Sequence, residues 1–121
     1  MILVDTSVWV DHLRANDPRL ERLLDAGMVL THPFVIGEIA LGYLHGRTKV
    51  LGAMSGMPKA IVATGVEALE FIERHSLFGR GIGYIDVHLL ASARLSGATI
   101  WAGDKRLHGV ARALALAMPQ P

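Results

Sequence analysis

Four of the eleven acidic residues stand in apolar company. Asp5 closes the aliphatic run Ile2-Leu3-Val4, Glu38 interrupts Phe34-Val35-Ile36 and Ile39-Ala40-Leu41, Asp86 follows Tyr84-Ile85, and Asp104 follows Thr99-Ile100-Trp101-Ala102. Each sits at or inside a segment expected to be buried. The other seven, Asp11, Asp17, Glu21, Asp25, Glu67, Glu70 and Glu73, fall on faces expected to be solvated. Carboxylates gathered in a partly buried cleft repel one another and lose hydration, so they must be protonated, paired with bases or neutralised by a cation. Few bases lie near them in the sequence. Hard oxygens, with no thiolate and no clear His pair at ligand spacing, select Mg2+ or Mn2+ over Zn2+. A cation held this way with open positions suits phosphodiester hydrolysis, because it acidifies bound water and stabilises charge on the phosphoryl oxygens. That chemistry needs no nucleophilic side chain.

Each of these residues also has a plainer explanation. Asp is a good helix N-cap, and Asp5, Asp86 and Asp104 each come just before an expected helix. Glu38, Gly42 and His45 share one helical stripe that simply faces water in the alternative reading. The four together are what favours a site. In a parallel α/β sheet the C-terminal ends of the strands share one edge, where ligands bind, and Asp5 and Asp104 both belong there. His88 is the histidine nearest to a candidate ligand. Two residues beyond Asp86 in a helix, it points elsewhere and reads as packing or surface.

The elements that must position these groups follow from periodicity and punctuation. Ile2 to Val4 is a strand, Asp5-Thr6-Ser7 a turn, and Val8, Trp9 and Leu13 recur at helical spacing. Asp17-Pro18 opens a helix that stops near Gly27, and Met28 to Leu30 forms a second strand. Phe34 to about Leu44 is a helix apolar on most of its circumference, hence buried in the fold or in an interface. Helical pieces with loops are expected from Gly46 to Gly65, followed by an amphipathic helix from Val66 to Arg74. Gly79 to Gly83 is a loop, Val87 to Leu95 a helix, Thr99 to Trp101 a strand, Lys105 to Ala113 a helix and Leu114 to Met118 a last strand. Strands alternating with helices argue an α/β sandwich, with a central parallel sheet of four to five short strands and helices on both faces.

Composition bounds the rest. With 121 residues, 51% hydrophobic and 19% charged, the chain reads as a single domain, 1–121, with one aliphatic core. Its net charge of +1 leaves room for a local basic patch but not a uniformly basic surface. The absence of cysteine excludes a disulfide framework, a thiolate metal site and a cysteine nucleophile, and points to the cytoplasm. The N-terminus lacks a basic region ahead of its apolar run, so it is not a signal peptide, and no apolar stretch is long enough to span a membrane. A mean hydropathy of +0.38 is high for a soluble monomer of this size and suggests a dimer, a bound partner or both.

The order and spacing of four segments resemble the PIN-domain ribonucleases, and among them the VapC-type toxins of type II (VapBC) toxin-antitoxin pairs. Ile2 to Trp9 is similar to the family's opening, Ile36-Gly37-Glu38-Ile39 to its helical glutamate motif, Gly81 to Ala93 to its third acidic motif and Trp101 to Leu107 to its fourth. The resemblance covers almost the whole chain. It implies a PIN-like α/β/α sandwich with Asp5, Glu38, Asp86 and Asp104 as the acidic quartet. It also implies Mg2+- or Mn2+-dependent RNA cleavage, a homodimer, and inhibition by a cognate VapB-type antitoxin. One position departs from the pattern: the family usually carries a hydroxyl two residues before the fourth Asp, where this chain has Ala102. Thr6 or Ser7 is expected to supply the nearby hydroxyl.

On this reading Asp5 and Asp86 anchor a metal, Glu38 orients the attacking water or a metal-bound water, and Asp104 completes the site or a second metal position. Arg14, Arg80, Lys105 and Arg106 are the candidate RNA-backbone contacts. The helix from Phe34 to Leu44, with the face of Val50, Leu51, Met54 and Met57, is the candidate antitoxin surface. Two rivals remain. A receiver-type phosphoacceptor domain fits poorly, because a single Asp follows the first strand and a Glu lies mid-helix. A catalytically silent RNA- or protein-binding module of the same fold is favoured only by Ala102.

Overall fold

The computed structural model describes residues 1–119; Gln120 and Pro121, the end of the expected domain, lie outside the described residues. β1 (Ile2–Val4), β2 (Val29–Leu30) and β3 (Thr99–Trp101) form a parallel sheet in the order β2-β1-β3. β1 pairs Ile2 with Val29 and Leu3 with Leu30 on one side. On the other it pairs Ile2 with Thr99, Leu3 with Ile100 and Val4 with Trp101. Single parallel bridges extend both edges, Thr31 to Lys59 beyond β2 and Ile100 to Ala117 beyond β3. Five segments therefore lie side by side, but only three pair for more than one residue. Pro58 and Pro119, which have no N–H to donate, stand in or beside the two outer segments and keep them short.

Seven helices among the described residues cover the sheet: α1 (Thr6–Ala15), α2 (Pro18–Asp25), α3 (Pro33–Leu41), α4 (Arg47–Ser55), α5 (Gly65–His75), α6 (Tyr84–Leu95) and α7 (Lys105–Ala113). The architecture is the expected mixed α/β fold, consistent with an α/β/α sandwich. Leu3, Val4 and Ile100 are fully buried, as strands covered on both faces must be. No helix is long and apolar enough to cross a membrane among the described residues.

Three expectations are corrected. α3 ends at Leu41 rather than Leu44, because Gly42 adopts extended backbone with φ −83° and ψ 162°. Its apolar circumference is only partly buried: Val35 and Ile39 enter the core, whereas Leu41 and Tyr43 are almost fully exposed. Met54 is buried, and Val50, Leu51 and Met57 pack half-buried against the core. α6 starts at Tyr84, three residues earlier than expected. Asp86 is thus its third residue and not its cap.

Candidate active site

Asp5 caps α1 at the C-terminal end of the central strand. Its Oδ1 accepts from the Ser7 N–H at 2.7 Å, and its Oδ2 accepts from the Ser7 hydroxyl at 3.1 Å and the Gly103 N–H at 3.2 Å. The Asp5 N–H donates to the Trp101 carbonyl, so the parallel pairing of β1 with β3 runs to the strand ends here. The geometry favours a glycine at 103, since a Cβ there would lie 2.5 Å from the Ser7 Oγ and make that hydroxyl turn away. Gly103 has no left-handed backbone, so the obstacle is steric. Gly103→Ala is expected to cost about 1–2 kcal/mol by forcing Ser7 off its bond to Asp5. In urea unfolding, the Ser7→Ala and Gly103→Ala changes combined should cost less than the sum of the two, because removing the hydroxyl makes room for the methyl.

Glu38 comes to the same edge from α3, where its Oε1 accepts from the Thr6 hydroxyl at 2.7 Å. Asp86 reaches back from α6 to accept the Gly83 N–H at 3.1 Å, closing that helix's first turn. Asp104 caps α7, its Oδ2 accepting from the Leu107 N–H at 3.0 Å. Only Asp5 is buried; Asp86 is half-buried, and Glu38 and Asp104 are exposed, contrary to the expectation that all four are buried. On α3, Ile39 takes the inward position and leaves its neighbour Glu38 outward. On α7, the cap residue sits at an open helix end.

The four carboxylates nonetheless share one electrostatic environment. Burial, reinforced by the charge of Asp86, pushes the Asp5 carboxyl above its ordinary value despite the three donors that oppose the shift. Burial also raises Asp86, and the charges of Asp104 and Glu38 add to it. The one ion pair among the described residues, Arg19 with Asp17, lies elsewhere. Asp86 Oδ1, Asp104 Oδ1 and Glu38 Oε2 accept no protein hydrogen bond among the described residues.

Among the described residues no three acidic or histidine side chains converge into a ready-made cage. The donor set nevertheless fits a hard divalent cation. It offers oxygen ligands only, three of them unengaged, with mutual repulsion that no base relieves.

Thr6 and Ser7 supply the two hydroxyls at this edge, Thr6 to Glu38 and Ser7 to Asp5, while Ala102 is buried and contributes none. Lys105 and Arg106 are exposed on the first turn of α7, and Arg80 is exposed on the loop before α6. Arg106 lies across that loop, its Cδ 3.0 Å from where a Cβ on Gly81 would stand. Arg14 is not brought to the edge, lying in the last turn of α1, about 13 Å along the helix from Asp5. His88 is buried against the rings of Phe34 and Tyr84, in keeping with the packing role. Sequence reasoning missed the Gly103 N–H, although a glycine directly before a capping Asp at a strand end was the available signal.

A PIN-domain family model matches residues 2–113. The chain is 47% identical over 108 residues to "Ribonuclease VapC32" of Mycobacterium tuberculosis, from strain CDC 1551 / Oshkosh and from strain H37Rv alike. Those matches cover 88% of this chain and 87% of the relative. Family model and relatives agree: the chain belongs to the PIN-domain family, among its VapC-type members.

Proposed function

We propose that the protein, as one domain over residues 1–121, is a ribonuclease toxin that hydrolyses RNA phosphodiester bonds with Mg2+ or Mn2+ and is neutralised by a VapB-type antitoxin. The observation that carries this reading is the chain of charge influence that links Asp5 to Asp86, and Asp86 to Glu38 and Asp104, with no base paired to any of them among the described residues. The identity to a named ribonuclease supports the substrate class. An RNA substrate is in keeping with action in the cytoplasm. The exposed apolar residues of α3 and α5, including Leu41, Val66 and Leu69, support a homodimer or a bound partner.

Asp5 and Asp86 would hold the cation, with Asp104 completing its surroundings. When bound, it acidifies water and stabilises the developing phosphoryl charge. The chain's own groups do the remaining work. Glu38, steadied by Thr6, accepts a proton from the attacking water through its free oxygen. Ser7 and Gly103 fix the direction of the Asp5 carboxylate. Arg80, Lys105 and Arg106 grip the RNA backbone beside the carboxylates, so binding should weaken as salt rises. The direct test is cleavage of a mixed RNA pool with Mg2+, Mn2+ or EDTA. Cutting that EDTA abolishes supports the reading, and no cutting by antitoxin-free protein leaves a silent binding module.

Metal should also be visible without substrate. At tenfold excess over its dissociation constant, Mg2+ or Mn2+ binding only the folded chain adds about 1.4 kcal/mol, or about 5 °C in Tm. Asp86→Asn should erase most of that gain in a thermal melt with and without metal.

A further inference from the structure

The two helices that carry Glu38 and Asp86 are joined by a buried polar link that the proposed chemistry does not use. His32 caps α3, and its Nδ1 accepts from the Phe34 N–H at 3.0 Å. A ring nitrogen that accepts leaves the proton on the other, so Nε2 donates to the Ser92 Oγ in the middle of α6, 3.1 Å away. The same Ser92 oxygen accepts the Ala63 N–H at 3.1 Å. His32 and Ser92 are fully buried and Ala63 nearly so. Burial and the neighbouring His88 keep the imidazole neutral by holding its pKa down to about 4.

One hydroxyl therefore fastens the start of α3, the middle of α6 and the segment between α4 and α5. Glu38 stands six residues beyond His32 on α3, and Asp86 six residues before Ser92 on α6. Each carboxylate is thus about 9 Å along its own helix from the link. In a dry interior such a bond is hard to break, because its loss leaves the buried His32 Nε2–H with no acceptor.

We propose that His32 and Ser92 are a positioning pair that sets the spacing of Glu38 against Asp86, and through it the affinity of the acidic edge for its divalent cation. This rests on the nuclease reading above. Outer partners that touch a metal ligand directly are worth about ten- to a hundredfold in metal binding, and the link, acting through two helices, is expected at the lower end of that range.

The test is Mn2+ affinity by electron paramagnetic resonance, well below the melting temperature, alongside RNA binding in EDTA. Ser92→Ala keeps a good helix former in α6 and removes the hydroxyl. His32→Asn keeps a capping side chain but falls short of Ser92. Each is expected to raise the Mn2+ dissociation constant about tenfold, the two together no further than either alone, with RNA binding in EDTA unchanged within twofold. Leu20→Ala, which opens the core under the distant α2, is the control for lost stability alone and should leave Mn2+ affinity unchanged within twofold. Unchanged affinity in both link variants, or an equal loss in Leu20→Ala, overturns the positioning role. A wild-type chain with no Asp5-dependent Mn2+ binding overturns the nuclease reading and the pair's role with it, an outcome distinct from intact wild-type binding that ignores the link.

Discussion

Asp5→Asn is expected to lower the rate of metal-dependent RNA cleavage by at least about a thousandfold, an increase of about 4 kcal/mol in the barrier, while leaving the fold in place. The separation of the two effects follows from the residue's surroundings. As a cap, Asn serves almost as well as Asp, because its carbonyl oxygen can still accept the Ser7 N–H. The amide nitrogen then faces the Gly103 N–H, which costs a hydrogen bond. Against that, the substitution removes a charge that burial and Asp86 both disfavour. Stability should therefore change by no more than about 1 kcal/mol. Initial rates on single-stranded RNA with saturating Mg2+, with urea unfolding of the same samples, measure both quantities. A variant that cuts within tenfold of the wild type removes Asp5 from the site.

Acidification is the second large effect. The His32 imidazole has a pKa of about 4 in the folded chain against 6.5 for the free group. Between those values the unfolded chain binds a proton that the folded chain refuses, so stability is full above pH 6.5 and falls as pH drops towards 4. The expected loss is on the order of 3 kcal/mol, complete once the pH is below the folded value. Asp5 and Asp86 act with the opposite sign. Their raised folded pKa values mean that the native state takes up protons more readily than the unfolded chain, which offsets part of the loss at the acid end. Urea unfolding at steps from pH 7.5 to 4.5, with an NMR titration of the His32 ring, resolves the two. Stability flat between pH 6.5 and 5, or a ring that titrates near 6.5, contradicts the expectation.

How far the sequence revealed the site depended on how locally each residue is determined. Asp5 and Asp104 were legible because a strand end and a helix cap coincide there, and each fixes the other. Asp86 was placed on the right segment but at the wrong position. Gly83 gives the helix start no side-chain signature, and an Asp that reaches back from the third residue looks like a cap. The burial of Glu38 was misread because apolar neighbours along a helix do not say which face a residue takes. Three of the four to five expected strands pair as strands, while the outer segments shrank to single bridges; that, and the order of the strands, only backbone register decides. The bond between His32 and Ser92 spans 60 positions, and neither residue type nor local pattern announces it.

The pairing of β1 with β3 bears on when the proposed toxin becomes active in the cell that makes it. Asp5 is made well ahead of the backbone donor that orients it, Gly103, which comes 98 positions later, and Asp104 follows at once. The central strand can pair with β2 long before β3 has been made. Vectorial synthesis thus delivers the acidic edge last, and a stalled or truncated product that ends before the Gly103–Asp104 turn holds Asp5, Glu38 and Asp86 without the frame that aligns them. In the proposed toxin, topology itself delays activity until β3 and the turn after it have been made.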